Sequence, residues 1–140
     1  MSLPVVSAVV AAILIVIQQS LMFTVGMHRA KANIGMGFGE DMTLERKIRR
    51  HGNLAENAAL FVVTLSLAEL CGTPKGIVIV FGALFLLSRL FHILGFSSLV
   101  GSHMVKGNKI FFLMRALGAF GTLFVGIALG IFLIWTIIKI

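Results

Sequence analysis

Arg49, Asn53 and Glu56 follow one another at spacings of four and three residues, with Arg46 three residues ahead of the first. On a helix these spacings place the side chains on one face, within about 60° of each other, and put Asn57 at its edge. Arg89, with His92 and Phe96 behind it on the same face, and Arg115 stand in otherwise apolar stretches further along. Arg46, Arg49, Arg50, Arg89 and Arg115 outnumber Glu45 and Glu56 by three charges. Guanidinium groups match carboxylates bidentately. Such a surplus is best answered by an anionic ligand with more than one carboxylate. Glu56 and Asn53 among the arginines call for a ligand that also carries a cation or amide donors, as a small zwitterionic peptide does. A nucleic acid does not fit, because the basic groups are embedded rather than displayed.

The chain that must position these groups has 140 residues, of which 59% are apolar and 12% charged, with a mean hydropathy of +1.06. Soluble domains carry about 25% charged residues. A soluble globule of this size could not cover so much apolar surface, and disorder requires the opposite composition. The lone Cys71 allows no internal disulfide and no thiolate metal site. The expectation is a single all-α membrane domain over residues 1–140, a four-helix transmembrane bundle.

The first 27 residues carry no charge, and residues 3–27 are long enough as a helix to cross an apolar layer of ~30 Å. A signal peptide would need a positive start and a shorter apolar core. The Gly-rich stretch 29–41 reads as a loop, after which Thr43 or Asp41 caps a second helix that runs to about Cys71, with Gly72 at C′. Thr73 and Pro74 read as N-cap and N1 of a third helix ending near Ser98. Residues 101–107 read as a short turn and 108–139 as the fourth helix, where Gly118, Gly121, Gly126 and Gly130 read as close-packing positions, the spacing of Gly126 and Gly130 marking the clearest pair.

Lysines and arginines set the orientation. Eight lie in the 1–2 and 3–4 connections and their flanks, against Lys75 and Lys139 at the other end. Both connections are therefore expected in the cytoplasm and both termini away from it. Arg49, Asn53 and Glu56 fall roughly 9 to 20 Å beyond Thr43. Arg89 and His92 near the end of helix 3, Arg115 near the start of helix 4, and Gln18, Gln19, His28 and Arg29 in helix 1 belong to the same half. Ionisable groups at such depth are costly and mark function. Competing readings are snorkelling anchors for Arg46, Lys47 and Arg50, and structural pairing of Glu56 with Arg49 or Arg89. His51, Asn53 and Glu56 lack metal-site spacing, so no metal is expected. Glu69, on the opposite face, is given no role.

These residues carry a resemblance. Residues 45–57, ERKIRRHGNLAEN, resemble the signature that opens helix 2 of the MAPEG superfamily, the membrane-associated proteins in eicosanoid and glutathione metabolism, and are especially similar to its small bacterial members. Residues 88–96, SRLFHILGF, resemble the helix 3 segment, and the arginine of 114–117, MRAL, resembles the one that opens helix 4. The resemblance implies a homotrimer that binds glutathione between protomers in the cytoplasmic half of a membrane, here a bacterial inner membrane. It implies that Arg49, Asn53 and Glu56 bind glutathione from helix 2, Glu56 on the γ-glutamyl ammonium and the arginines, Arg89 included, on the carboxylates. His92 matches a binding position on helix 3, Arg29 one at the end of helix 1, and Arg115 the catalytic arginine beside the sulfur.

The chain departs from the eicosanoid-forming members, which place tyrosines on helix 3; it has no tyrosine, and His92 and Phe96 occupy such positions. Thiol activation by a phenol is excluded. A guanidinium can take its place by favouring the thiolate, which is the nucleophile. The implied activity is conjugation of glutathione to a small hydrophobic electrophile arriving from the lipid bilayer, with hydroperoxide reduction as a second outcome. The alternative is a non-catalytic membrane protein, a small transporter or an anion-binding scaffold. Small drug exporters carry a glutamate in their first span; this span has no acid.

Overall fold

The structure, a computed structural model, describes residues 3–103, 106–107 and 109–139. The described chain forms helices α1 (Val5–Ala32), α2 (Met42–Leu70), α3 (Lys75–Gly95), α4 (Leu99–His103) and α5 (Lys109–Ile138), with no strand among these residues. All but α4 are long and apolar enough to cross a membrane.

Local chemistry sets the helix ends. α1 continues past the expected Met27 and carries Arg29 and Lys31 in its last turn, where cations suit the negative end of the helix dipole. It stops at Asn33, which takes the left-handed conformation at φ 52°. The loop is therefore 33–41, shorter than expected. Asp41 rather than Thr43 caps α2, accepting from the Thr43 and Leu44 amides at 2.9 Å each. The other end of α2 closes as a Schellman motif: Gly72, at φ 86°, donates to the Glu69 carbonyl, and Thr73 donates to that of Ala68.

Pro74 stands just outside α3 as its N-cap, so the helix begins one residue later than expected. α3 ends at Gly95 instead of Ser98, because the Ser98 hydroxyl accepts from the Gly101 amide and so opens α4. The expected turn at 101–107 thus begins inside a helix. Its Met104 and Val105, and Asn108 at the expected start of the last helix, lie outside the described residues.

α1 begins after a proline and has no side-chain cap of its own. Glu69, near the end of α2, supplies one: its carboxylate accepts from the Val6 and Ser7 amides at 3.0 and 2.8 Å and from the Ser7 hydroxyl at 2.6 Å. Four otherwise unanswered amides open every helix; this carboxylate answers two of them and ties α1 to α2. Glu69, given no role from sequence, is a structural residue.

The bundle is held by a thin core that includes Val10, Leu14, Leu54, Leu65, Val78 and Leu129. Phe61 of α2 stacks on Phe85 of α3 at 3.7 Å between ring centroids. α3 and α5 lie closest: a methyl group added at Gly118 would collide with the His92 backbone, one at Gly95 with the Arg115 backbone, and one at Gly121 with the Ser88 hydroxyl. Gly126 and Gly130 do not share this seam. Among the described residues nothing lies within 4 Å of a methyl group added at either, contrary to the close packing their spacing suggests. Apolar side chains such as Leu60, Phe23 and Phe124 face outward along the long helices, as they must in lipid.

Candidate functional site

The end of the bundle where α1 finishes and α2 begins also holds the end of α3, all of α4 and the start of α5. Arg46 reaches from α2 across to the end of α3, where its Nη1 donates to the Phe96 carbonyl at 3.1 Å and also to that of Ser97. Arg115 donates through Nη1 to the Gly101 and Ser102 carbonyls of α4, both at 3.0 Å, and lies over the Phe96 ring at 4.8 Å. His103 in turn ties α4 to α2, with Nε2 3.3 Å from the Met42 carbonyl and 4.0 Å from Glu45. The last carbonyls of a helix have no intrahelical partner and carry its negative pole. Helix ends therefore absorb two of the five arginines that the sequence leaves as surplus charge.

Arg50, Arg49 and Arg89 remain. Arg50 is half-buried, and its Nε has no partner among the described residues. Arg49 is exposed on α2. Arg89 is only 2% exposed; its Nη1 donates to the Thr122 hydroxyl of α5 at 2.9 Å, while Nε and Nη2 find no partner among the described residues. The Thr122 hydroxyl in turn donates a hydrogen bond to the Gly118 carbonyl. His92, one turn after Arg89, is also buried, with Nδ1 unanswered among the described residues and its ring 4.9 Å from that of Phe96. A buried donor without an acceptor is costly, and more so when charged.

A cleft of about 300 Å3 opens between α2 and α5 beside this cluster. Glu56 and Asn57 line it from α2, Phe85 from α3, and Thr122, Gly126 and Gly130 from α5. The open space at the two glycines is part of this cleft. Glu56 is the carboxylate of the cleft, and the Arg89 guanidinium stands behind its Thr122 wall. Glu56 forms no ion pair with Arg49 or Arg89 among the described residues, so neither structural pairing is used. Asn53 and Asn57 turn their amides back to the carbonyls four residues earlier.

Within this chain, then, Glu56 lines the cleft and Arg89 lies behind its Thr122 wall, with His92 a turn from Arg89. Arg49 and Asn53 continue the α2 face outside it, and Arg115 does not line it. Arg29 stays at the end of α1, where its Nη1 lies 3.4 Å from the Ile34 carbonyl. Thr122 is the site residue that sequence reasoning missed. The available signal was its place seven residues after Arg115, on the same face of α5.

The connection from α1 to α2 is fixed by a second polar group. Lys47 Nζ lies 2.9 Å from His28 Nδ1, and His28 Nε2 lies 2.7 Å from the Asp41 carboxylate. The Leu44 amide, and next the His28 ring, hold the Asp41 carboxyl below its ordinary value.

No curated protein gives a significant match to the chain. The MAPEG family profile matches residues 7–135, a span that takes in the α2 face, Arg89, His92 and Arg115. The chain belongs to the MAPEG family, as an integral membrane protein with four helices able to span the bilayer.

Proposed function

We propose that this protein is a membrane-bound glutathione transferase that activates glutathione for attack on small hydrophobic electrophiles. MAPEG membership supports the reading, since the family includes glutathione transferases. The observation that carries it is the state of Arg89: buried, with one donor spent on Thr122 and two unanswered beside a cleft whose carboxylate is Glu56. A ligand with carboxylates for Arg89 and Arg49 and an ammonium for Glu56 completes this charge pattern, and glutathione carries both. Asn53 and His92 supply further hydrogen bonds. Arg49 and Glu56 are exposed on a membrane helix in the isolated chain. A homotrimer with the site between protomers covers them, and Arg29 of one protomer then reaches the ligand on the next. The positive end of the bundle faces the cytoplasm in this reading.

A thiol of pKa ~8.5 is mostly protonated at neutral pH. Arg115 beside the sulfur favours the thiolate, and lowering its pKa by about two units corresponds to about 2.7 kcal/mol. The thiolate forms a sulfur–carbon bond with the electrophile, the leaving group departs with its bonding electrons, and the thiol proton goes to water. With a lipid hydroperoxide the thiolate takes the terminal oxygen, an alcohol leaves, and a second glutathione converts the resulting sulfenic acid to a disulfide and water. No metal takes part.

The Nη1 contacts of Arg115 with the α4 carbonyls favour a second reading, a carrier or scaffold that binds the peptide without activating it. Glutathione titration of purified protein, followed in the ultraviolet and by conjugation of a chlorinated aromatic, separates the two. The transferase shows a thiolate band and turnover, both lost in Arg115→Ala. Binding without the band supports the scaffold, and absence of binding contradicts both.

A further inference from the structure

A second cavity, of about 400 Å3, lies at the junction of α1 and α2, lined by none of the residues assigned to glutathione. Phe23, Thr24 and Met27 line it from within α1, and His28, Lys31 and Lys47 line it toward the helix end; no carboxylate lines it among the described residues. Phe23 falls about 13 Å before the end of α1 and Lys31 about 2 Å before it. The cavity therefore runs from the apolar layer to its polar boundary, with a hydrophobic wall at one end and two ammonium groups at the other.

The polar end is built. An ammonium has no lone pair, so Lys47 must donate to His28 Nδ1 at 2.9 Å, which leaves the proton on Nε2 to be donated to Asp41 at 2.7 Å. The ring is held from both sides. The His28 ring stands between the Asp41 carboxylate and Lys47, and the Thr43 and Leu44 amides take the other Asp41 oxygen. Lys47 keeps two donors after the bond to His28. Lys31 makes no hydrogen bond or ion pair among the described residues. Two lysine charges with unused donors thus stand over an apolar wall.

Lysine answers phosphate as a point charge. We infer that this cavity binds the phosphate of an anionic phospholipid, with Lys31 and Lys47 on the headgroup and the acyl chain along Phe23 and Met27. A lipid is favoured over a free phosphate because Phe23 is 67% and Met27 44% exposed, so the apolar wall continues into the lipid-facing surface of α1. The site does not depend on the transferase reading.

The test is native mass spectrometry of the intact protein in micelles containing equal phosphatidylglycerol and phosphatidylcholine. The wild type should retain phosphatidylglycerol in preference, with each lysine contributing roughly fivefold. Lys31→Gln should lose about that factor and Lys31→Gln/Lys47→Gln most of the preference. Lys31→Gln breaks no bond among the described residues, so it keeps the test valid should the double variant fail to fold. Lys139→Gln, at the opposite end, should leave the preference unchanged, and millimolar inorganic phosphate should not displace the lipid. Equal retention of both lipids, or an unchanged preference in Lys31→Gln, would overturn the site. So would an equal loss in Lys139→Gln. Release by inorganic phosphate would overturn the lipid assignment in favour of a free-anion site.

Discussion

Arg89 is the residue on which the candidate site turns. Its burial with two unanswered donors is unfavourable for the empty chain and favourable once an anion is present. Arg89→Met should therefore leave the melting temperature unchanged or raised, while weakening glutathione binding at least about tenfold by titration calorimetry. A purely structural role would instead lower stability. Glu56→Gln should weaken binding comparably and change stability by no more than about 0.5 kcal/mol, because Glu56 is exposed and unpaired among the described residues. Unfolding of that variant would mean that the α2 face serves the fold. At this scale the sequence revealed which residues are unusual but not how their charges are answered. Arg46 and Arg115 read as surplus cations because the carbonyls that take them lie just past the end of α3 and in α4, 50 and 14 residues away in the chain. Glu69 read as idle for the same reason: its partners are 62 and 63 residues away.

Element ends and the α3–α5 seam decide how the helices hold together. Gly118→Ala would press a methyl group into the His92 backbone and should cost about 1–3 kcal/mol, seen as a lower melting temperature. Gly126→Ala meets open space and should leave stability unchanged while narrowing the cleft. Of the four glycines the sequence marks for close packing, Gly118 and Gly121 meet α3 while Gly126 and Gly130, the clearest pair by spacing, do not, because a glycine is needed where a neighbouring helix arrives, and that is set by how helices cross. The caps were more legible, because Asp41 and Gly72 act within a few residues of themselves. Asp41 also gives the loop a pH dependence. Its folded-state pKa lies below the ordinary 3.8, so its contribution is present above that value and is lost as pH falls through the lower folded value. The difference in melting temperature between wild type and Asp41→Asn should therefore shrink below about pH 3.8, measured by thermal unfolding across pH 2.5–7.

For the whole molecule, composition determines the solvent before any helix is placed: so apolar a chain must live in lipid, and four helices long enough to cross it follow. What composition could not supply is closure of the site, since Arg49 and Asn53 lie on the α2 face outside the cleft that holds Glu56. The proposed homotrimer closes it with residues from a second copy. The most direct test of the account is calorimetric titration of glutathione into detergent-solubilised protein, wild type beside Arg49→Ala, with ultraviolet absorbance recorded on the same samples. The account predicts saturable binding with a thiolate band in the wild type and at least about tenfold weaker binding in the variant. No binding to the wild type, or equal affinity in the two proteins, would contradict it.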